Sequence, residues 1–137
     1  MLGWGIEVCF TAVKDLATGK GDNRLTGESY VWMFPIYGAG GLAGEVVGRS
    51  MRGRPIWQRA GAYALTFWAV EASTGEVLRR ALGDIPWGES YRGHPDQMGD
   101  GHIRLAWGPN WAVAGLALER VSPFVKRLAL APKPALR

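Results

Sequence analysis

The sequence predicts an all-α fold, an integral membrane bundle of about four transmembrane helices with the first helix short or N-terminally truncated. The run from Tyr30 to Gly44 carries no charged side chain. Gly40, Gly44 and Gly48 recur every four residues, which places them on one helix face, where a second backbone can approach closely. Seven tryptophans and 20 glycines occur in only 137 residues; Trp favours membrane interfaces, and Gly is commoner in membrane helices than in soluble ones.

The four helices are predicted from apolar runs that alternate with polar or basic connections. The run from Met1 to Val13 would cover only about 20 Å as a helix, against a hydrocarbon core of about 30 Å. Either this helix lies partly in the membrane interface, or its first turns lie upstream of Met1; we favour the second explanation. Pro35 would start or kink the second helix. The predicted helices are Met1 to Val13, Tyr30 to Val47, Ile56 to Leu78 and His102 to Val121.

Hydropathy alone is also compatible with a second fold class. None of the apolar runs reaches the roughly 18 residues of an unambiguous span, so a soluble α-helical domain is the alternative. We divide the chain into a membrane domain, residues 1–125, and a basic C-terminal tail, residues 126–137, which contains Lys126, Arg127, Lys133 and Arg137.

Charge and cysteine content narrow the class of protein. The net charge is +4 and the pI about 9.6, but the basic residues lie between and after the apolar runs. Juxtamembrane charge beside a lipid bilayer is therefore favoured over nucleic-acid binding. We expect a multi-pass protein of the inner or plasma membrane. By the positive-inside rule, its basic connection from Arg49 to Pro55 and both termini lie in the cytoplasm. A single cysteine, Cys9, excludes an internal disulfide framework and a four-thiolate zinc site.

Four local patterns follow one another along the chain. They are Gly3-Trp4-x-x-Glu7; Gly27-x-x-Tyr30 followed by Pro35-Ile36-Tyr37-Gly38-x-Gly40; Glu71-x-x-Thr74-Gly75; and Gly101-x-Ile103-x-Leu105 with Trp111 and Gly115. In this order and spacing they resemble the patterns of the ABC-transporter type IV, or CmpB-like, family of small multi-span membrane proteins. The resemblance implies a four-helix membrane protein with a transport-related role. Arg79 stands where that family has a second glutamate in its third helix.

Two carboxylates lie within apolar segments, Glu7 and Glu71. An ionised carboxylate in hydrocarbon costs on the order of 2.5–3.5 kcal/mol on insertion scales, so each should face a partner or a water-filled cavity. One interpretation is a structural hydrogen bond to Trp, Tyr or Asn110. The other is an ion or substrate path lined by Glu7, Glu71, Arg104 and Asn110. Arg104 could neutralise a carboxylate, hold a lipid phosphate, or extend to the membrane interface.

Glycines are predicted to set the close contacts between helices, at Gly40, Gly44, Gly48, Gly75 and Gly115. Part of this run also matches a G-x-G-x-x-A dinucleotide fingerprint, from Gly38 to Ala43. That motif needs an acidic residue about twenty positions later, and no Asp or Glu lies between Glu45 and Glu71. We therefore expect no directly bound nucleotide.

The loop from Ala81 to Gly101 and the residue that follows it contain His94, Asp96, Asp100 and His102. Their spacing fits no standard metal motif, so a solvated loop is favoured and no metal or other cofactor is expected. The chain contains no recognisable catalytic motif. We therefore predict no catalytic residue, and an enzyme is the less favoured class of protein.

The sequence thus predicts a membrane component of a transport system or of a larger membrane complex. The alternative is a non-catalytic structural or accessory subunit of a membrane protein assembly. A chain of 137 residues can enclose little of a pathway, so we expect other membrane subunits or a homo-oligomer as partners.

Overall fold

A computed structural model describes residues 2–21 and 24–130. Of these described residues, 71% are helical, which confirms the all-α class. Four long helices are present: α1 (Leu2–Ala17), α2 (Met33–Ser50), α3 (Ile56–Leu82) and α5 (Gly108–Leu130). The loop between α3 and α5 holds a one-turn helix, α4 (Gly88–Tyr91), and two antiparallel strands, β1 (Gln97–Met98) and β2 (Ile103–Arg104). Across the described residues, none of the helices unites the length and the apolar character needed to traverse a bilayer.

The ends of α2 and α3 follow from local chemistry. Pro35 is the third residue of α2, a position whose backbone N–H would have no partner within the helix in any case. Pro35 therefore starts the helix and does not kink it. Helix α3 begins at Ile56 as predicted and continues four residues beyond Leu78. It ends at Gly83, whose φ of 86° is the left-handed geometry that glycine adopts most easily.

The last helix differs most from its prediction. Residues 103–107 form β2 and a 3-10 turn, so α5 starts at Gly108 and not at His102. It continues to Leu130, so the first residues of the predicted tail are helical. Lys126, at the start of that segment, donates to Glu45 of α2 over 2.6 Å, which anchors this end of α5. Residues 131–137, which include Lys133 and Arg137, lie outside the described part of the chain.

Helix α3 is the centre of the bundle and packs mainly against α5 and α2. The end of α2, the start of α3 and the second half of α5 meet at one end, where Arg59 and Tyr63 reach Glu119. We call this the basic end. Helix α1 lies beside the start of α2, with Trp4 edge-on to Phe34.

Glycines lie at the closest helix contacts. A Cβ at Gly115 would lie 2.1 Å from Cγ of Tyr63, and one at Gly44 would lie 2.6 Å from a methyl carbon of Leu118. The other three glycines also face neighbours: Gly40 faces Phe67, Gly48 faces the Tyr63 hydroxyl, and Gly75 faces Trp87 and His102. Gly40, Gly44, Gly48 and Gly115 thus face another helix, as the sequence predicts, whereas Gly75 faces the loop between α3 and α5.

A small apolar core lies at the opposite end of the bundle. Leu78 of α3 packs with Ile85, Trp87 and Tyr91, all of them buried. Three of these four side chains come from the loop that the sequence suggests is polar. The Trp87 indole donates to the His102 carbonyl over 3.1 Å, so the loop folds back onto α3 and closes this end.

Candidate functional site

The buried carboxylate of Glu71 is the centre of the candidate site. It lies near the middle of α3 with 9% of the residue exposed. Its Oε1 accepts a hydrogen bond of 2.6 Å from the Tyr91 hydroxyl, and its Oε2 accepts one of 3.2 Å from the Trp111 indole. Both oxygens thus have protein donors, as a buried carboxylate requires. Through this one side chain, α3 is bonded to α4 and to α5.

Aromatic packing holds these donors in place. Phe67, one helical turn before Glu71, lies edge-on to Trp111 with 5.8 Å between ring centroids, and it stacks on Tyr63 at 6.0 Å. Edge-on and offset-stacked pairs at such distances are favourable. The Trp111 indole is therefore oriented toward Glu71 by its own packing.

Glu7 of α1 occupies a second, less complete polar site. Tyr37 and Ser29 face it, and Tyr37 lies within electrostatic range of both Glu7 and Glu71. Yet Glu7 Oε2 and Ser29 Oγ are buried with no hydrogen-bond partner among the described residues. The structure therefore brings both predicted carboxylates close enough to one tyrosine, Tyr37, to act on it electrostatically.

The other two predicted residues of the polar cluster lie elsewhere. The Arg104 Nε donates to both carboxylate oxygens of Asp96, at 3.1 and 3.2 Å. The Arg104 carbonyl accepts from the Trp68 indole at 3.2 Å. Asn110 is exposed in the first turn of α5. The side chain of Arg104 thus bonds to Asp96 of the loop and not to Glu7 or Glu71.

Ion pairs and backbone hydrogen bonds shape the loop that carries Tyr91. Asp96 accepts from the Ala106 N–H over 2.8 Å, and this bond, with help from Arg104, lowers the pKa of Asp96. A hydrogen bond from Arg92 lowers the pKa of Asp84 in the same way. A carboxylate with depressed pKa stabilises the fold above its unfolded-state pKa of about 4, and that contribution is lost as the pH falls through the folded value.

The His and Asp residues of this loop have separate partners. His102 Nε2 lies 3.2 Å from Glu76 Oε2, and Asp100 lies 3.5 Å from Arg92. Within the described ranges, no three His, Cys, Asp or Glu residues are grouped so that they could hold a metal ion. The G-x-G-x-x-A run lies inside α2, with no strand before it in the described part of the chain, so it lacks the strand–turn–helix context of a dinucleotide site.

A second polar network, at the basic end, could not be derived from the sequence. Arg59 forms a two-pronged ion pair with Glu119, whose Oε1 also accepts from the Tyr63 hydroxyl at 2.9 Å. Glu45 accepts from Ser122 at 2.7 Å and from Lys126. Only the pair Glu45 and Arg49, four residues apart on α2, has a spacing that sequence inspection could recognise.

Comparisons with known protein families, with curated proteins and with solved structures found no match for this chain. The likeness to CmpB-like proteins therefore stays a prediction from the sequence.

Proposed function

We propose that this protein is a helix-packing subunit embedded in a membrane, where it forms part of a transport system or another multi-subunit membrane complex. In this proposal lipid and neighbouring subunits cover its outer faces. Its role is to hold helices together, and it carries out no reaction itself.

The observation that supports the proposal is that more large apolar side chains are exposed on the surface than are buried in the core. Twenty-three large apolar residues are exposed, whereas only seven hydrophobic residues are buried, among the residues that the structure describes. At the same time the carboxylate of Glu71 is buried. In water, large contiguous apolar surfaces mark interaction sites or aggregation risks. Contact with lipid or with another helix would remove this apolar surface from water.

Each of the three packed helices contains a stretch with at most one charged side chain, bounded by charged residues. For α2 and α5 this stretch begins three residues before the helix. In α3 the residues between Arg59 and Glu76 include only one charged side chain, Glu71. At a rise of about 1.5 Å per residue this stretch covers about 24 Å. The matching segments are Tyr30 to Gly44 and Leu105 to Leu118. We call these three segments the apolar belt. A belt shorter than the usual hydrocarbon core of about 30 Å is accommodated by local thinning of the bilayer or by association with other helices.

The contacts of Glu71 favour the packing role over a polar path. A side chain whose two oxygens are both bonded to Tyr91 and Trp111 already has the partners that a structural carboxylate needs. A polar path is the second candidate, and one observation favours it. Glu7 Oε2 and Ser29 Oγ are buried near Tyr37, and neither atom makes a hydrogen bond of normal geometry among the described residues. Both atoms therefore retain capacity to bind an ion or a substrate.

The belt can be tested by placing one charge at two depths on the same helix. Leu65 lies within the belt and Leu82 at the end of α3, and both side chains are exposed. We expect Leu65→Lys to reduce the amount of protein recovered from membranes severalfold, because a lysine at the membrane centre costs about 2.5–3.5 kcal/mol on insertion scales. Leu82→Lys should be recovered like the unchanged protein, because the ammonium group reaches the headgroups.

The measurement is the fraction of protein that stays in the membrane pellet after alkaline carbonate extraction. If the unchanged protein is fully released into the supernatant and the two variants behave alike, a membrane location is contradicted.

A further inference from the structure

A cavity of about 300 Å³ lies at the basic end of the bundle, between α2, α3 and α5. This volume is at the lower limit of small-molecule sites, which range from about 300 to 1,000 Å³. Its charged lining residues are four cations and two carboxylates: Arg49, Arg52, Arg59 and Lys126, with Glu45 and Glu119. The lining therefore has two more cationic side chains than carboxylates.

The two carboxylates of the cavity are already engaged by protein donors. Glu119 is bonded by Arg59 and by the Tyr63 hydroxyl. Glu45 is bonded by Ser122, by Lys126 and, at 3.0 Å, by Arg49. Two cations thus share the single carboxylate of Glu45. Neither carboxylate is available to neutralise a further cation.

Arg52 is that further cation. It belongs to the connection between α2 and α3 and lines the cavity, but its guanidinium has no hydrogen-bond or ion-pair partner among the described residues. Gly53, the next residue, turns the chain with a φ of 80°. A planar guanidinium binds the oxygens of a phosphate two at a time, which makes arginine the preferred residue for such ligands.

We propose that this cavity binds a phosphate group, with Arg52 as its principal donor and Arg49 and Lys126 as supporting charges. The phosphate belongs either to the headgroup of an anionic phospholipid or to a free phosphate ion. Basic pockets between helices at the cytoplasmic surface of membrane proteins bind anionic headgroups. The site lies outside the buried cluster around Glu71 and needs no particular role of the wider assembly.

The experiment uses the full chain in nanodiscs of phosphatidylcholine, with and without phosphatidylglycerol, and follows the midpoint of thermal unfolding. Ligand that binds only the folded state raises this midpoint. A further sample in phosphatidylcholine alone receives inorganic phosphate. We expect phosphatidylglycerol to raise the midpoint, and Arg52→Gln to need at least about tenfold more of it, since the charge-assisted hydrogen bonds of the guanidinium are lost.

Arg54→Gln is the matched control, because it removes the same charge from the same connection at a residue that does not line the cavity. It should respond to phosphatidylglycerol like the unchanged protein, and Arg52→Lys should fall between the unchanged protein and Arg52→Gln. A midpoint raised by inorganic phosphate, with the same dependence on Arg52, would also support the site and would assign it to a free ion.

Two results would overturn the proposal. One is no shift with either probe, and the other is an equal loss in Arg52→Gln and Arg54→Gln, which would indicate attraction to surface charge alone. If the protein does not enter nanodiscs, the inorganic phosphate comparison in plain buffer still tests the cavity. A failure of the membrane proposal is thereby separated from a failure of the phosphate site.

Discussion

Glu71→Ala is expected to destabilise the bundle by about 3–5 kcal/mol, the range for breaking a buried, hydrogen-bonded charge network. The substitution leaves the Tyr91 hydroxyl and the Trp111 indole without their acceptor, and both lie at the junction of α3, α4 and α5. Glu71→Gln keeps one acceptor oxygen and should cost less, about 1–3 kcal/mol. The measurement is the midpoint of thermal unfolding in detergent micelles, followed through tryptophan fluorescence.

Glu76→Gln provides the control on the same helix. Glu76 pairs with Arg79 and Arg80 at the partly exposed end of α3 and also lies 3.2 Å from His102. Exposed ion pairs add little stability, and the glutamine amide keeps a hydrogen-bonding group next to His102. The midpoint of Glu76→Gln should stay close to that of the unchanged protein. If Glu71→Ala unfolds at the same midpoint as Glu76→Gln, the carboxylate does not join the helices as described.

The glutamine variant also separates the two candidate functions. If Glu71→Gln weakens association with partner subunits or lowers the level of assembled complex, the packing role is supported. If assembly is unchanged and transport is lost, the polar path takes its place. Glu7→Gln should be examined in parallel, because Glu7 and not Glu71 has an oxygen without a partner among the described residues.

Gly115→Ala is expected to destabilise the contact between α3 and α5 by about 3 kcal/mol, the upper part of the range for overpacked sites. The new Cβ would lie 2.1 Å from Cγ and 2.5 Å from Cβ of Tyr63. A change of rotamer could move Cγ of Tyr63, but the backbone fixes its Cβ, so the overlap at 2.5 Å remains. The helices would have to separate, and Tyr63 would lose its hydrogen bond to Glu119.

Gly61→Ala is the matched control for this substitution. Gly61 lies within α3, and a Cβ added there would meet no neighbouring element within 4 Å in the described part of the chain. Alanine there should leave stability unchanged or raise it by about 0.5–1 kcal/mol through helix propensity. Both variants are compared by the same thermal midpoint. Equal midpoints for Gly115→Ala and Gly61→Ala would show that the close approach at Gly115 does not hold the helices together.

Sequence reasoning succeeded where the signal is local. The basic connection before Ile56 and the apolar run after it identified the start of α3. The glycine spacing in α2 identified the face that meets Phe67 and Leu118. The need of a buried carboxylate for donors limited the partners of Glu71 to a few residue types, and the observed donors, a tyrosine and a tryptophan, are among them.

The remainder depends on contacts between residues distant in sequence. Tyr91 lies in a loop of polar composition, and only the folded chain brings it onto α3. The sequence predicts that Arg104 lies in the first turn of the helix from His102 to Val121. It lies instead on a short strand, after a turn in which Gly99, Asp100 and Gly101 all have positive φ. The bond between Arg59 and Glu119 joins residues 60 positions apart, and no local pattern contains that information.

The most direct test of the central claim is the reactivity of a single thiol at Leu65 in the apolar belt. In a Cys9→Ala background, Leu65→Cys and Arg54→Cys are each reconstituted in nanodiscs, which leave both membrane faces open to solvent. Each variant is then treated with a charged maleimide. The proposal predicts rapid labelling at position 54 and labelling at least about tenfold slower at position 65, where lipid excludes the reagent and the thiolate. Labelling of both positions at the same rate would show that water surrounds the belt, and the membrane account would be wrong.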